Sequence, residues 1–379
     1  MRKICLLYVQ DSFTDGGISA ITSTKENYFV NKEGYEVHNL NALSTGLNLP
    51  EGTLDEKVIR HDIYFNTLNK LGKVPLIGRL LRFVYYRVKL LKIIFSIKPD
   101  VIILTHPKLE PLTVLLLSFW KKRVLEFHGW FNITQPDSIC IRERLDFIFM
   151  YHFYNLVALT QGEALHLQKL TKNKSIFIPN PLERLPEIIS NCESKRVVLF
   201  ARFSKEKGIV PFLPFWKKIQ EQYPEWELCL FGRGVEEDKI RQTIENHNLH
   251  TVKVYPYTNQ VDVELSKSSI CILTSYFEGW GLVLTESMAV GVPCIAYDCP
   301  FGPSEIIHDS EDGFLTEYLN PDAMVDKINF LIENPDRRKA MGGKARINVQ
   351  RFNIDQIMGQ WMHLFENLMY GKFLQPPTI

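Results

Sequence analysis

The sequence predicts an α/β protein made of two parallel-sheet domains, and three observations carry that prediction. Its 379 residues exceed what one hydrophobic core usually supports. Short apolar runs alternate with longer amphipathic ones along almost the whole chain, the rhythm of strand-helix-strand units. The rhythm breaks once, at PNPLERLPEIISNCESK (179–195), where three prolines and a polar run read as a linker. The expected domains are 1–182 and 190–355, with a closing helix over 356–379.

In the first half, KICLLYV (3–9), DVIILT (100–105), RVLEFH (123–128), NLVALT (155–160) and SIFIPN (175–180) read as strands. In the second half the strands are RVVLFA (196–201), WELCLFG (226–232), TVKVYP (251–256), ICILTS (270–275) and VPCIAYD (292–298). LVLTESMAVG (282–291) reads as a helix between the last two, ended by Gly291 and Pro293. RFNIDQIMGQWMHLFENL (351–368) is the closing helix.

Composition excludes several classes. A net charge of +1 gives no global argument for nucleic acid, and none is expected as a partner. Seven cysteines without a CxxC pair, several inside apolar runs, read as buried thiols of a reducing compartment. No apolar run approaches the ~20 residues of a membrane span, and the start MRKICLLYVQD is too short for a signal peptide. A cytoplasmic protein is expected.

Open parallel sheets bind ligands beyond the carboxyl ends of their strands. Three loops stand at such ends. DSFTDGGIS places Gly16 and Gly17 ahead of a helix, ARFSKEKG places Arg202, Lys205, Lys207 and Gly208 after a strand, and FEGWGLVLTE follows ICILTS. The first two would serve equally as ordinary solvated turns. The third is more informative. Gly279 and Gly281 let a ligand approach the backbone, while the amides of Gly281 and Leu282 open a helix whose dipole favours a phosphate. Glu278 and Glu286 would be repelled by that phosphate unless they meet neutral hydroxyls. A nucleotide sugar offers ribose and sugar hydroxyls on the two sides of its diphosphate.

Glu278 and Glu286 meet the E-x7-E signature, and here the sequence resembles the nucleotide-sugar-dependent glycosyltransferases of the GT-B fold, specifically glycosyltransferase family 4. The resemblance extends through the glycines at 16 and 17, HGW (128–130), LTQ (159–161), IPNP (178–181), ARFSKEKG, FGRG (231–234) and CPFGPSEII (299–307). It implies two Rossmann-like domains facing a central cleft, the first binding the acceptor and the second the nucleotide sugar, with the last helix crossing back to the first. It implies that Arg202 and Lys207 neutralise the diphosphate, that Glu286 takes ribose hydroxyls and that Glu278 takes hydroxyls of the transferred sugar. It implies that His128 lies beside that sugar, where residue type alone leaves a structural histidine equally open. Trp280 departs from the commoner Phe but keeps an aromatic. Tyr257 could stack on the base or merely pack, and Glu305 could touch the donor or cap a helix.

The resulting expectation is a hexosyltransferase acting on a UDP-linked donor with retention of configuration and adding the sugar to a glycan or lipid-linked acceptor, in cell-surface polysaccharide synthesis. No DxD motif occupies a loop, so no metal or other cofactor is expected. A non-transferring relative of the same fold, an epimerase, hydrolase or binding-only protein, is the alternative. A glycosidase using both glutamates needs carboxyls about 5 to 9.5 Å apart, which a loop residue and a helix residue eight positions on would miss. Residues 73–98 carry Lys73, Arg79, Arg82, Arg87, Lys89, Lys92 and Lys98 among apolar residues with no acid. Such a segment reads as a surface for anionic membrane, giving a peripheral location on the inner face and access to a lipid-linked acceptor. A core helix with a basic outer face is the other reading.

Overall fold

A computed structural model describes residues 2–10, 17–44, 53–64, 85, 88–105, 122–128, 155–171 and 175–371. The chain forms two compact units, Met1–Pro179 together with Ile357–Ile379, and Asn180–Gln356.

The first unit is built on a seven-stranded sheet of β1 (Ile4–Gln10), β2 (Tyr35–Ser44), β3 (Ile59–Tyr64), β4 (Val101–Leu104), β5 (Arg123–Glu126), β6 (Asn155–Ala158) and β7 (Ser175–Phe177). The order is β3-β2-β1-β4-β5-β6-β7 and every pairing is parallel. One face carries Leu7, Val9, Leu40, Ile102, Leu104 and Leu125, covered by Leu90 and Ile94 of a helical stretch at 88–97. Against Tyr35 at the start of β2 packs Phe29 of α1 (Gly17–Val30), which also meets Phe365 of the C-terminal helix with ring centroids 5.3 Å apart.

Two of these strands, β2 and β3, were not among the expected ones, and neither was β13 (Gly313–Thr316) of the second unit. Their sequences explain it. YEVHNLNALS and IRHDIY mix Asn, His and Asp into an otherwise alternating pattern, residue types that usually mark turns. Here Asn39 and Asn41 are buried, at 0% and 1% exposure, in a polar layer. The four residues of GFLT begin at the glycine of Asp312-Gly313, a pair that reads as a turn.

The second unit holds β8 (Arg196–Phe200), α3 (Ile209–Gln222), β9 (Glu227–Phe231), α4 (Glu237–Asn246), β10 (Val252–Tyr255), α5 (Val261–Ser266) and β11 (Ile270–Leu273). α6 (Leu282–Ala289), β12 (Cys294–Tyr297), α7 (Pro303–Ile306), β13 (Gly313–Thr316), α8 (Pro321–Glu333) and α9 (Pro335–Asn348) follow. In the first unit α2 (Gln161–Thr171) connects β6 to β7, and α10 (Ile354–Tyr370) ends the chain. The second sheet runs β10-β9-β8-β11-β12-β13, again parallel throughout. Its core gathers Leu199, Trp216, Leu230, Ile272, Ile295 and Ile328.

Residues 180–195 belong to this unit and are tied to it. Ser190 Oγ donates to the Ser268 carbonyl at 2.6 Å, and Arg338 Nε donates to the Cys192 carbonyl at 2.9 Å. The six described cysteines are free and buried.

Candidate donor site of the second unit and the buried seam of the first

In the second sheet the chain winds outward from β8 through β9 to β10, then returns to lay β11 on the other side of β8. The crevice beyond the carboxyl ends of β8 and β11 is therefore the topological switch point, where doubly wound sheets bind ligands. ARFSKEKG leaves β8 there and TSYFEGWG leaves β11.

These two loops are locked together. Gly208 adopts φ +63°, and a Cβ on it would stand 2.2 Å from the Thr274 carbonyl oxygen. Only glycine gives both that backbone angle and that approach. Thr274 Oγ1 donates to the Lys207 carbonyl at 2.7 Å, and the Tyr276 N–H donates to the Glu206 carbonyl at 2.9 Å.

The side chains follow from this clamp. Lys207 Nζ reaches Glu278 Oε1 at 2.5 Å, and Ser275 Oγ donates to the same oxygen at 2.6 Å. Glu278 is thus held on three sides, by Lys207, by Ser275 and by the Gly302 turn, whose own Cβ would meet Glu278 Cβ at 2.9 Å. Arg202 is exposed, and its Nη2 donates to Glu206 Oε1 at 2.7 Å. Burial raises the Glu206 carboxyl, but Ser204 and Arg202 outweigh it and hold the group below its usual range. Glu206 was not anticipated from sequence; it is the residue that orients Arg202.

Gly281, at φ +95°, caps α6. The N–H groups of Gly281 and Leu282 have no acceptor among the described residues, so the positive end of the helix is open for an anion. Trp280 is buried with its ring edge-on to Phe352 at 5.0 Å, so it braces the loop from behind. Glu286 lies in the second turn of α6, partly exposed and without a hydrogen-bond partner among the described residues. Burial, reinforced by Asp262 of α5, pushes its carboxyl up to about 7. An uncommitted carboxyl poised near neutrality is ready to accept from a ligand hydroxyl.

The remaining expected residues are dispersed. Tyr257 follows β10, two strands from β8, and is exposed with the Arg233 guanidinium 5.0 Å from its ring centre. Glu305 sits in the short α7. Gly17 opens α1, while Gly16 and residues 129–130 lie outside the described residues.

His128 lies two residues beyond β5 in the first unit, with Nε2 buried 3.4 Å from Glu126 Oε1, within ion-pair range but with no hydrogen-bond partner among the described residues. Glu126 is completely buried and ion-paired with the equally buried Lys25 of α1. Burial alone would raise the Glu126 carboxyl, but Lys25 and His128 reverse that and hold it at about 2. Sequence reasoning missed this pair, although a glutamate inside the apolar run RVLEFH was a visible signal.

Fold and site define a transferase class, one in which two doubly wound units accompany an anion-binding helix end flanked by cations and carboxylates. Residues 183–348 match the profile of the family described as glycosyl transferases group 1. Residues 183–348 are thus a domain of that family, and the two parallel-sheet units together have the GT-B fold. Over 367 residues it is 28% identical to an uncharacterized glycosyltransferase of Haemophilus influenzae, covering 95% of this chain and 99% of that one. It is 26% identical to the poly(ribitol-phosphate) alpha-N-acetylglucosaminyltransferase of Staphylococcus aureus, over 56% of this chain and 44% of that one. A protein from Anabaena solved with UDP and glucose superposes with a TM-score of 0.73 at 18% identity, covering 96% of this chain and all of that one.

Proposed function

We propose that the protein is a retaining, metal-independent hexosyltransferase of family 4 that takes its sugar from a UDP-linked donor and adds it to a glycan or lipid-linked acceptor of a bacterial surface polysaccharide. The observation that carries this reading is the convergence, at the β8/β11 switch point, of Lys207, Glu278 and the open amides of α6. Displacing a diphosphate from an anomeric carbon builds negative charge on the leaving group. Preorganised cations and helix-end amides stabilise such charge without reorganising during the reaction. Arg202 and Lys207 are the two of the three cations in the β8 loop that are paired with carboxylates, and each can exchange its carboxylate for a phosphate oxygen when the donor arrives. Glu278, held beside Lys207, then faces the sugar, and Glu286 faces the ribose. The ligands of the Anabaena protein and the activity named for the Staphylococcus relative fit a UDP-sugar donor and a surface-polymer acceptor.

The membrane part of the proposal rests on the described portion of 73–98. Tyr85, Val88 and Phe95 are exposed apolar residues there, at 40%, 47% and 60%, with Lys92 exposed among them. Lys73, Arg79, Arg82 and Arg87 lie outside the described residues. Among the described residues no helix is long and apolar enough to cross a membrane.

The test is calorimetric binding of a panel of UDP-, GDP- and dTDP-sugars with and without EDTA, followed by NMR of the anomeric linkage in the product. Preference for a UDP-hexose, indifference to EDTA and a product of unchanged anomeric configuration are expected. A strict metal requirement, or inversion, would overturn the corresponding part.

A further inference from the structure

Lys25 and Glu126 form an ion pair sealed inside the first unit, at 1% and 0% side-chain exposure. Burying two charges is costly, and an apolar pair of the same volume commonly serves stability as well or better. The pair is nevertheless embedded with care. The Trp361 ring of α10 lies 4.9 Å from Lys25 Nζ, so the last helix of the chain closes over the cation. The neighbouring acid, Glu26, does not compete for Lys25. Its carboxyl accepts from Asn39 Nδ2 at 2.5 Å and is pushed up to about 8 by burial. Among the described residues Glu126 lies beside Lys25 and the imidazole of His128, with the buried Tyr8 hydroxyl within electrostatic reach.

We infer that Lys25 and Glu126 are positioning residues for His128: the buried carboxylate takes the Nε2 proton side of the ring, and Lys25 keeps that carboxylate ionised. In the neutral form of the ring, the charge of the carboxylate 3.4 Å away then favours the Nε2–H tautomer. Its lone pair sits on Nδ1, the nitrogen not turned toward Glu126, where it can accept a hydrogen bond from a substrate hydroxyl. Without Lys25, an isolated buried Glu126 would take up a proton and become a donor. It would then give that proton's hydrogen bond to Nε2, and the ring proton would move to Nδ1, reversing the polarity that the ring presents. What the ring polarity serves rests on the transferase reading above; the polarity itself does not.

The test is nitrogen-15 NMR of protein labelled at histidine, with His128→Gln to assign the ring and the dispersion of the backbone amide spectrum as the check on folding. Wild type is expected to show a protonated-type Nε2 and a lone-pair-type Nδ1, and Lys25→Met is expected to exchange the two. Should Lys25→Met fail to fold, the volume-matched Lys25→Met/Glu126→Gln variant removes both charges and is expected to give exchange-averaged ring nitrogens. A proton on Nδ1 in wild type, or a wild-type ring spectrum in the charge-free variants, overturns the assignment. Because these readouts need no acceptor or turnover, they are independent of whether His128 serves in sugar transfer.

Discussion

Glu286 and Glu278 are chemically identical side chains eight positions apart, and their surroundings give them opposite states. Glu278 is committed to Lys207 and Ser275, whereas Glu286 has no such partner and is pushed up to about 7. A folded-state value above the usual carboxylate range means that the folded protein binds the proton more tightly than the unfolded chain does. This group's contribution to stability is therefore present at acid pH and is lost as pH rises toward and through about 7. Ligand hydroxyls that donate to the carboxylate favour its ionised form, so binding should improve over the same interval. UDP-glucose, whose diphosphate does not titrate there, should gain about five- to tenfold in affinity between pH 6 and 8 if the bound carboxyl ionises one to two units or more below 7. Isothermal titration should show this gain in wild type and a flat profile in Glu286→Gln; a flat wild-type profile would remove Glu286 from the ribose. The two cations separate in a different way. Arg202 is exposed and its pair with Glu206 contributes at most about 1 kcal/mol to stability, so Arg202→Ala should melt like wild type yet lose on the order of 10²-fold in turnover. Lys207→Ala strands the largely buried Glu278 and should lower the melting temperature as well as turnover, which differential scanning calorimetry can resolve.

At the scale of elements, the site depends on the clamp between the β8 and β11 loops. Gly208→Ala places a methyl group against the Thr274 carbonyl in a left-handed backbone, a double penalty that should cost at least 1–2 kcal/mol. The variant should unfold at a lower urea concentration and bind UDP weakly, and unchanged binding would show that the clamp is not what holds Lys207 in place. The pattern of what was readable in the sequence has the same origin. Strands such as ICIL, buried throughout the sheet, are uniformly apolar and announce themselves. The loops after β8 and β11 were legible because glycine, cation and carboxylate occur there in a tight spacing. β2 was not, since its polar residues are buried against other polar groups and only the assembled sheet supplies those partners. Lys25 was invisible for the same reason: nothing in GISAITSTKENYFV distinguishes a buried lysine from a solvated one, and its partner Glu126 is 101 residues away. Glu206, which accepts from Arg202 and Ser204, was hidden by the expectation that an acid in a basic loop faces water.

At the scale of the whole molecule, the proposed lipid-linked acceptor can be reached only if the protein resides at the membrane surface, and residues 73–98 are the segment proposed to hold it there. Residues 73–98 hold seven cations and no acid, and in the described part Val88, Lys92 and Phe95 recur about every three to four positions, so a helix presents them on one face with Lys92 set between two apolar groups. Phe95 at 60% exposure is a poor choice for water alone, although a single exposed apolar residue would call for no explanation. Each cation near an anionic surface contributes roughly 1 kcal/mol at most, so attachment requires several acting together with the apolar groups between them. Screening over about 8 Å at physiological ionic strength makes that attachment weak in salt. Co-sedimentation with phosphatidylserine or phosphatidylglycerol vesicles is therefore expected at low salt, falling as salt rises, and absent with phosphatidylcholine alone. Lys89→Glu/Lys92→Glu should abolish it, and Phe95→Ser should weaken it without altering its salt dependence, while UDP binding by the second unit stays unchanged in all three proteins. Indifference of the wild type to anionic vesicles at low salt would make 73–98 a structural element with a solvated basic face, and would point to a soluble glycan as the acceptor.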